Sequence, residues 1–74
     1  MINKMIGRIK WFKKDKGYGY ITGFDDETYY FEISSLIVDE DKIKENLLVN
    51  FIPKSIGTMS YADNIDIEKV NYKN

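Results

Sequence analysis

The stretch from Lys10 to Tyr20 reads KWFKKDKGYGY, and the interpretation of the rest of the chain depends on it. It places four aromatic residues, four lysines and two glycines within eleven residues. Because side chains alternate along a strand, Tyr18 and Tyr20 share one face and the glycines share the other. Rings that stack on bases, beside ammonium groups that pair with phosphates, are typical of surfaces that bind single-stranded nucleic acid.

Burial in a core is the alternative explanation for these rings. Aromatic residues are favoured in strands, and in a small protein most of them are buried. Three features favour a surface instead: buried tyrosine hydroxyls need partners, lysines are costly to bury, and the two residue types interleave. We therefore predict a binding surface on this stretch.

Length and composition limit the class of protein. The 74 residues give room for one domain, residues 1–74, with a small core. The chain has no cysteine, which excludes disulfides and fits a reducing cytoplasm. No apolar run is long enough to span a bilayer. We expect a soluble, cytoplasmic monomer with no membrane partner.

Catalysis has few candidate groups in this sequence. The absence of histidine and cysteine removes the commonest general base, the thiol nucleophile and the usual transition-metal ligands. The acidic runs at residues 25–27 and 39–41 lack the ligand spacing of calcium loops, so we interpret them as solvated turns. No enzymatic activity, cofactor or metal is expected.

The net charge of −1 hides a strong segregation of charge along the chain. Residues 1–24 contain six basic residues against one acid, whereas residues 25–50 contain eight acids against two lysines. The basic part coincides with the aromatic stretch. Since the local field rather than the total charge attracts a polyanion, nucleic acid fits as a partner.

Five short strands and no substantial helix are predicted. The strands cover Met5–Lys13, Gly17–Thr22, Thr28–Ile33, Leu47–Pro53 and Tyr61–Val70. Between the third and fourth, residues 34–46 are predicted as a loop in which Asp39 caps a short helical turn holding Ile43. This pattern favours an all-β fold, a small five-stranded antiparallel barrel of the OB-fold type, with an SH3-like barrel as the alternative.

Alternation also predicts which side of the third strand faces the core. Tyr29, Phe31 and Ile33 share one parity and are apolar enough for the interior. Tyr30 then lies on the same side as the two tyrosines of the second strand if the first three strands form a meander. This places three tyrosines on one outer face.

One residue in the first predicted strand and one in the fourth indicate irregular strand geometry. Trp11 shares its parity with Ile9, so an exposed Trp11 beside a buried Ile9 requires a bulge or a strong bend. Pro53 has no N–H group, which marks the end or an edge of the fourth strand.

The segment GRIKWFKKDKGYGYIT, from Gly7 to Thr22, resembles the hallmark motif of the cold-shock domain family. That motif reads Gly-x-Val-Lys-Trp-Phe followed by Lys-Gly-Phe-Gly-Phe-Ile, and the spacing is the same. The segment YYFEISSL, at residues 29–36, resembles the second motif, Val-Phe-Val-His-x-Ser-x-Ile. Weaker likeness at residues 49–51 and 62–65 extends the resemblance to about Glu68.

The resemblance implies an OB-fold barrel that binds single-stranded RNA and DNA on a face of stacked aromatic residues. It implies a role as an RNA chaperone or a regulator of transcription or translation, in cold shock or another stress response. Seven positions match the nucleic-acid contacts of the family. They are Lys10, Trp11, Phe12, Lys16, Tyr18, Tyr20 and Tyr30. The three tyrosines stand where phenylalanine is usual, which keeps the ring.

The chain departs from the family pattern at three places. Glu32 stands where the second motif usually has a stacking histidine, and its carboxylate repels phosphate. Residues 37–49 contain no aromatic residue, and the family's Gly-Pro-Gln-Ala turn is replaced by Met59-Ser60-Tyr61-Ala62. From these departures we expect a shortened aromatic surface and weaker binding than is usual in the family.

A barrel that binds proline-rich or other extended peptides in an aromatic groove is the alternative function. It explains the tyrosines but does not need the lysines. Salt separates the two hypotheses, because phosphate binding weakens steeply as ions are added and docking on rings does not.

Overall fold

Five strands make up most of residues 3–69, the part of the chain that the computed structural model describes. They are β1 (Met5–Lys13), β2 (Tyr18–Gly23), β3 (Thr28–Glu32), β4 (Leu48–Ile56) and β5 (Met59–Ile67). Two three-residue 3-10 turns, Ile33–Ser35 and Glu40–Lys42, lie between β3 and β4. These are the helical segments of residues 3–69, and neither has the length or apolar character of a membrane-spanning helix.

The strands close into a barrel in the order β1, β2, β3, β5, β4, and β4 pairs back onto β1. The first three strands form an antiparallel meander, and β4 is antiparallel to both β5 and β1. A parallel contact of β3 with β5, at Tyr30 and Tyr61, completes the barrel. The predicted OB-fold is confirmed over the SH3-like alternative, with this parallel contact between strands added to the antiparallel arrangement.

The core is formed by one side of each strand together with one residue of the long connection. Its members are Ile9, Ile21, Tyr29, Phe31, Ile43, Val49, Phe51, Ala62 and Ile65. The predicted core positions Tyr29 and Phe31 are confirmed. Ile33 is partly buried and lies in the turn after β3, because the strand ends one residue before it.

The first strand has its predicted limits, and the next two differ by one residue. β2 covers Tyr18–Gly23 rather than Gly17–Thr22, and β3 ends at Glu32. The predicted end of β5, Val70, lies outside the described residues, and the strand already ends at Ile67. Local alternation was therefore a sufficient guide to the meander.

The limits predicted for the last hairpin are wrong. β4 continues past Pro53 to Ile56, and β5 begins at Met59 instead of Tyr61. Pro53 lies beyond the part of β4 that pairs with β1, so its missing N–H removes no bond to that strand. The hairpin turns directly at Gly57, whose φ of 62° suits glycine.

The long connection holds the short turn that the sequence predicts. The side chain of Asp39 accepts a hydrogen bond from the backbone N–H of Asp41 at 3.0 Å, as expected of a cap. Ile43 follows the turn and is buried in the core. The connection is attached to the barrel by this buried residue and by Leu36, Val38 and Leu47, which pack partly buried against the core.

Candidate nucleic-acid interface

Trp11 reaches the outer surface through a β-bulge in β1. Ile9 pairs with Ile21 of β2, but Trp11 pairs with Tyr20, so Lys10 is an extra residue between the two pairs. Ile9 is fully buried, whereas Trp11 is half-buried against its neighbours. A bulge of this kind redirects the side chains that follow it. The bulge that the alternation predicts is confirmed.

The absence of a side chain at Gly19 lets β2 lie close to its neighbours behind this surface. A Cβ atom there would lie 2.5 Å from the carbonyl oxygen of Trp11 and 2.8 Å from the ring of Phe31. Such distances require the backbone or the core to move. The small face of β2 therefore packs inward, and Tyr18 and Tyr20 point outward.

Five half-buried aromatic side chains form one continuous surface across β1, β2, β3 and β5, which we call the five-ring surface. Its members are Trp11, Tyr18, Tyr20, Tyr30 and Tyr61. The Trp11 ring centroid is 5.6 Å from that of Tyr18 and 5.0 Å from that of Tyr20. The Tyr30 centroid lies 5.9, 5.6 and 5.9 Å from those of Tyr18, Tyr20 and Tyr61. These tilted and T-shaped contacts hold the rings in fixed orientations.

Tyr61 is the member of this surface that sequence reasoning missed. The sequence showed it only as the start of the last strand, in place of a turn of the family. The parallel contact of β3 with β5 sets Tyr61 directly beside Tyr30, and a contact between such distant strands leaves no local pattern. A signal was present in the next residue, since a core position at Ala62 turns Tyr61 outward. The expected shortening of the aromatic surface is therefore offset by a ring from β5.

Phe12 is the one aromatic residue among the predicted contacts that lies apart from the five-ring surface. After the bulge it faces inward, and its ring stacks on Phe31 at a centroid distance of 5.7 Å and an interplanar angle of 24°. It is partly buried and packs against the core. Its contact with nucleic acid stays a prediction, while its contact with the core is part of the fold.

Three exposed lysines, Lys10, Lys13 and Lys16, lie in β1 or in the turn between β1 and β2. The Lys13 ammonium lies 5.6 Å from the centroid of the Trp11 ring, which is a cation–π distance. Lys10 and Lys16 are exposed, and neither they nor Lys13 form an ion pair within residues 3–69. Lys14 differs, because a hydrogen bond and the charge of Asp41 raise the pKa of its ammonium group.

Glu32 lies on the outer face beside Tyr30, as the alternation predicts. It pairs across strands with Tyr18, and its carboxylate accepts a hydrogen bond from the Tyr30 hydroxyl at 3.1 Å. Partial burial, followed by this hydrogen bond and the charge of Glu32, raises the pKa of the Tyr30 hydroxyl. The phenol therefore stays protonated and donates its hydrogen to the carboxylate.

Comparison with known proteins finds relatives of one kind. Cold shock protein 1 of Lactiplantibacillus plantarum is 37% identical over 60 residues, which cover 80% of this chain and 91% of that protein. Cold shock-like proteins CspI and CspG of Escherichia coli are 42% and 40% identical over 53 residues, covering 69% of this chain and 76% of each relative. No protein-family model matches the chain.

The barrel is also similar to a solved structure, drosophila Unr CSD456. The two superimpose with a TM-score of 0.79 over 99% of this chain, which spans 30% of the other chain at 18% identity. At that identity the likeness shows the fold alone. The identity and coverage shared with the bacterial proteins, together with the matching motif on β1 and β2, show that the chain belongs to the bacterial cold-shock protein family.

Proposed function

We propose that the chain binds single-stranded RNA or DNA on the five-ring surface and acts as an RNA chaperone or a regulator of transcription or translation. The observation that carries this proposal is the continuity of the surface, in which each ring contacts the next across four strands. Stacking of one base on one ring contributes about 1–3 kcal/mol. Several rings in series therefore suit a flexible strand with unpaired bases.

The rings favour single strands over duplexes for a physical reason. In a duplex the bases stack on one another and their faces are covered, so a protein ring finds no free face. In a single strand the bases can leave their own stack and lie on aromatic side chains. Duplex DNA then has only its phosphates to offer to the lysines.

The charges give the proposed interface two different ends. Lys13 lies over Trp11 at one end, whereas Glu32 lies beside Tyr30 toward the other. We infer that phosphates of the bound strand pass the lysine end. Near β3 and β5, the bound strand then contacts the protein mainly through the faces and edges of its bases.

Titration of tryptophan emission tests the proposal. Trp11 is the only tryptophan in the chain, so its emission reports directly on one ring of the interface. We expect dT7 and rU7 to quench it and a duplex of the same length to do so far less. Unchanged emission at high micromolar oligonucleotide would contradict nucleic-acid binding at this surface.

Salt dependence separates this function from the binding of extended peptides. For single strands, log K falls with log[salt] with a slope of about −0.7 for each phosphate contact. Lys13→Gln should reduce the magnitude of this slope, whereas Lys44→Gln, which removes the same charge from an exposed loop position, should leave it unchanged. Binding that is insensitive to salt, with quenching by proline-rich peptides, would favour the peptide function instead.

A further inference from the structure

A recess lies at the Tyr61 end of the five-ring surface, where the proposed function does not yet assign a ligand. Its volume is about 210 Å³, on the scale of one planar base. Tyr30 and Tyr61 line it, and Glu32 borders it from β3. Asp63 of β5 and Lys54 of β4 complete its polar side.

Asp63 and Lys54 largely satisfy one another. The Lys54 ammonium lies 2.9 Å from Oδ2 of Asp63, and Oδ1 accepts a hydrogen bond from the backbone N–H of Asn64 at 3.0 Å. The hydrogen bond from Lys54, followed by that from Asn64, holds the pKa of Asp63 below its usual value. This carboxylate is therefore ionised and already engaged.

Glu32 is the acceptor with unused capacity. The hydrogen bond that its side chain accepts within residues 3–69 comes from the Tyr30 hydroxyl, whereas an ionised carboxylate has about four lone-pair positions. Glu32 is exposed, and its side chain makes no cap bond to the turn that follows β3. Because the Tyr30 hydroxyl donates its hydrogen to Glu32, the rim of that ring presents acceptors to an incoming base.

The edge of the base decides which nucleotide suits such a rim. Guanine presents two adjacent donors on its Watson–Crick edge, N1–H and N2–H, which match the two oxygens of one carboxylate. Uracil and thymine present a single N–H between two carbonyl oxygens. Adenine and cytosine present an amino group beside a ring-nitrogen lone pair, which a carboxylate repels. Single-stranded bases are commonly recognised on this edge while they stack on a ring.

We propose that the recess is a guanine subsite, in which a base stacks on one of the two nearly perpendicular rings, Tyr30 or Tyr61, and donates its N1–H and N2–H groups to Glu32. This inference rests on the proposed function, since it needs a single strand on the five-ring surface. The Glu32 carboxylate repels phosphates of any sequence. Its two oxygens also accept hydrogen bonds that only guanine can donate as a pair. Glu32, which replaces the histidine usual in the family, would then determine the base preference of this chain.

A guest-base series tests the subsite. Labelled dT7 is compared by fluorescence anisotropy with strands in which one thymine is replaced in turn, at each position, by guanine or by hypoxanthine. Hypoxanthine keeps N1–H and lacks the N2 amino group. At one position guanine should bind at least about five-fold more tightly than thymine, which is the lower end of discrimination by a bidentate pair. Hypoxanthine at that position should bind like thymine.

Glu32→Gln should remove the guanine preference, because an amide offers one acceptor and one donor where two acceptors are required. Glu27→Gln is the matched control; it removes the same charge from the exposed β2–β3 turn and should keep the preference. For each variant the dissociation constant of the thymine strand is divided by that of the guanine strand. This ratio is unaffected by a change in overall charge, which alters both constants equally. Equal binding of guanine and thymine at every position, or a guanine preference that survives Glu32→Gln, would overturn the subsite alone. Absence of binding by every strand would overturn the proposed function and the subsite together.

Discussion

Phe12 and Tyr18 lie on opposite faces of the β1–β2 hairpin, although the resemblance groups them as contacts of one kind. Tyr18 contacts Trp11 and Tyr30 on the outer face, whereas Phe12 stacks on Phe31 and packs against the core. The bulge in β1 produces this difference, since it turns the residue after it outward and the next one inward. Sequence alternation correctly predicted that the tyrosines face outward. It could not show whether Phe12 packs against the core or faces the nucleic-acid surface.

Single substitutions should separate the two residues. We expect Tyr18→Ala to weaken binding of dT7 by roughly ten-fold or more, from the loss of one stacked base, with little change in stability. We expect Phe12→Ala to lower the free energy of unfolding by about 2 kcal/mol, less than for a fully buried phenylalanine because the ring is only partly buried. Urea denaturation and oligonucleotide titration of the same two variants measure both effects. A Tyr18→Ala variant that unfolds would show that this ring belongs to the core.

The β2–β3 turn is held by a hydrogen bond between a core tyrosine and a turn carboxylate. The Tyr29 hydroxyl donates to Oδ2 of Asp25 at 2.7 Å, and Oδ1 accepts from the backbone N–H of Glu27 at 3.0 Å. The bond from Tyr29 is the main cause of a lowered pKa of Asp25. Burial, followed by the hydrogen bond to Asp25, raises the pKa of Tyr29 to about 12.

Acid should weaken this turn. Because the pKa of Asp25 is lower in the folded state than its usual 3.8, the stabilisation is present above that value and is lost as pH falls through the lower, folded pKa. Tyr29→Phe should therefore destabilise the protein more at neutral pH than at about pH 2.5. The difference should be about 1 kcal/mol or less, because Asp25 is exposed and solvent screens the interaction.

Urea denaturation of the wild type and Tyr29→Phe at the two pH values gives this difference. Tyr20→Phe is the control, since no side-chain hydrogen bond of its hydroxyl is found within residues 3–69 and its effect should not depend on pH. An equal effect of Tyr29→Phe at both pH values would show that the bond to Asp25 does not stabilise the turn.

At the scale of the elements, the parts that the sequence predicted are those set by local alternation. The meander, the inward glycine face and the position of Tyr30 depend on residues close in sequence. The extension of β4 past Pro53 was not foreseen because Pro53 has no N–H group, yet the local hairpin still pairs it with Ala62 of β5. The closing contact of β3 with β5 joins strands that are distant in sequence, so the partnership of Tyr30 with Tyr61 was not foreseen. The fifth ring of the surface was missed for this reason.

At the scale of the whole molecule, closure of the barrel completes the surface. The meander alone brings together Trp11, Tyr18, Tyr20 and Tyr30, and the return of β5 adds Tyr61 and the recess beside it. The net charge of −1 does not describe this arrangement, since the ammonium group of Lys13 lies over the Trp11 ring at one end of the five-ring surface. The proposed binding thus depends on the residues of one face and not on the average composition.

The most direct test of this face is a map of backbone amide and Trp11 indole chemical shifts during titration with dT7. The largest changes are predicted at the members of the five-ring surface, with Tyr61 included and the exposed Phe24 and Ile56 unaffected. If the chemical shift of Tyr61 does not change, the interface is limited to the rings of β1, β2 and β3. Changes centred on Phe24 or Ile56, or no changes under conditions that saturate the Trp11 quenching, would contradict the claim that the five-ring surface binds single-stranded nucleic acid.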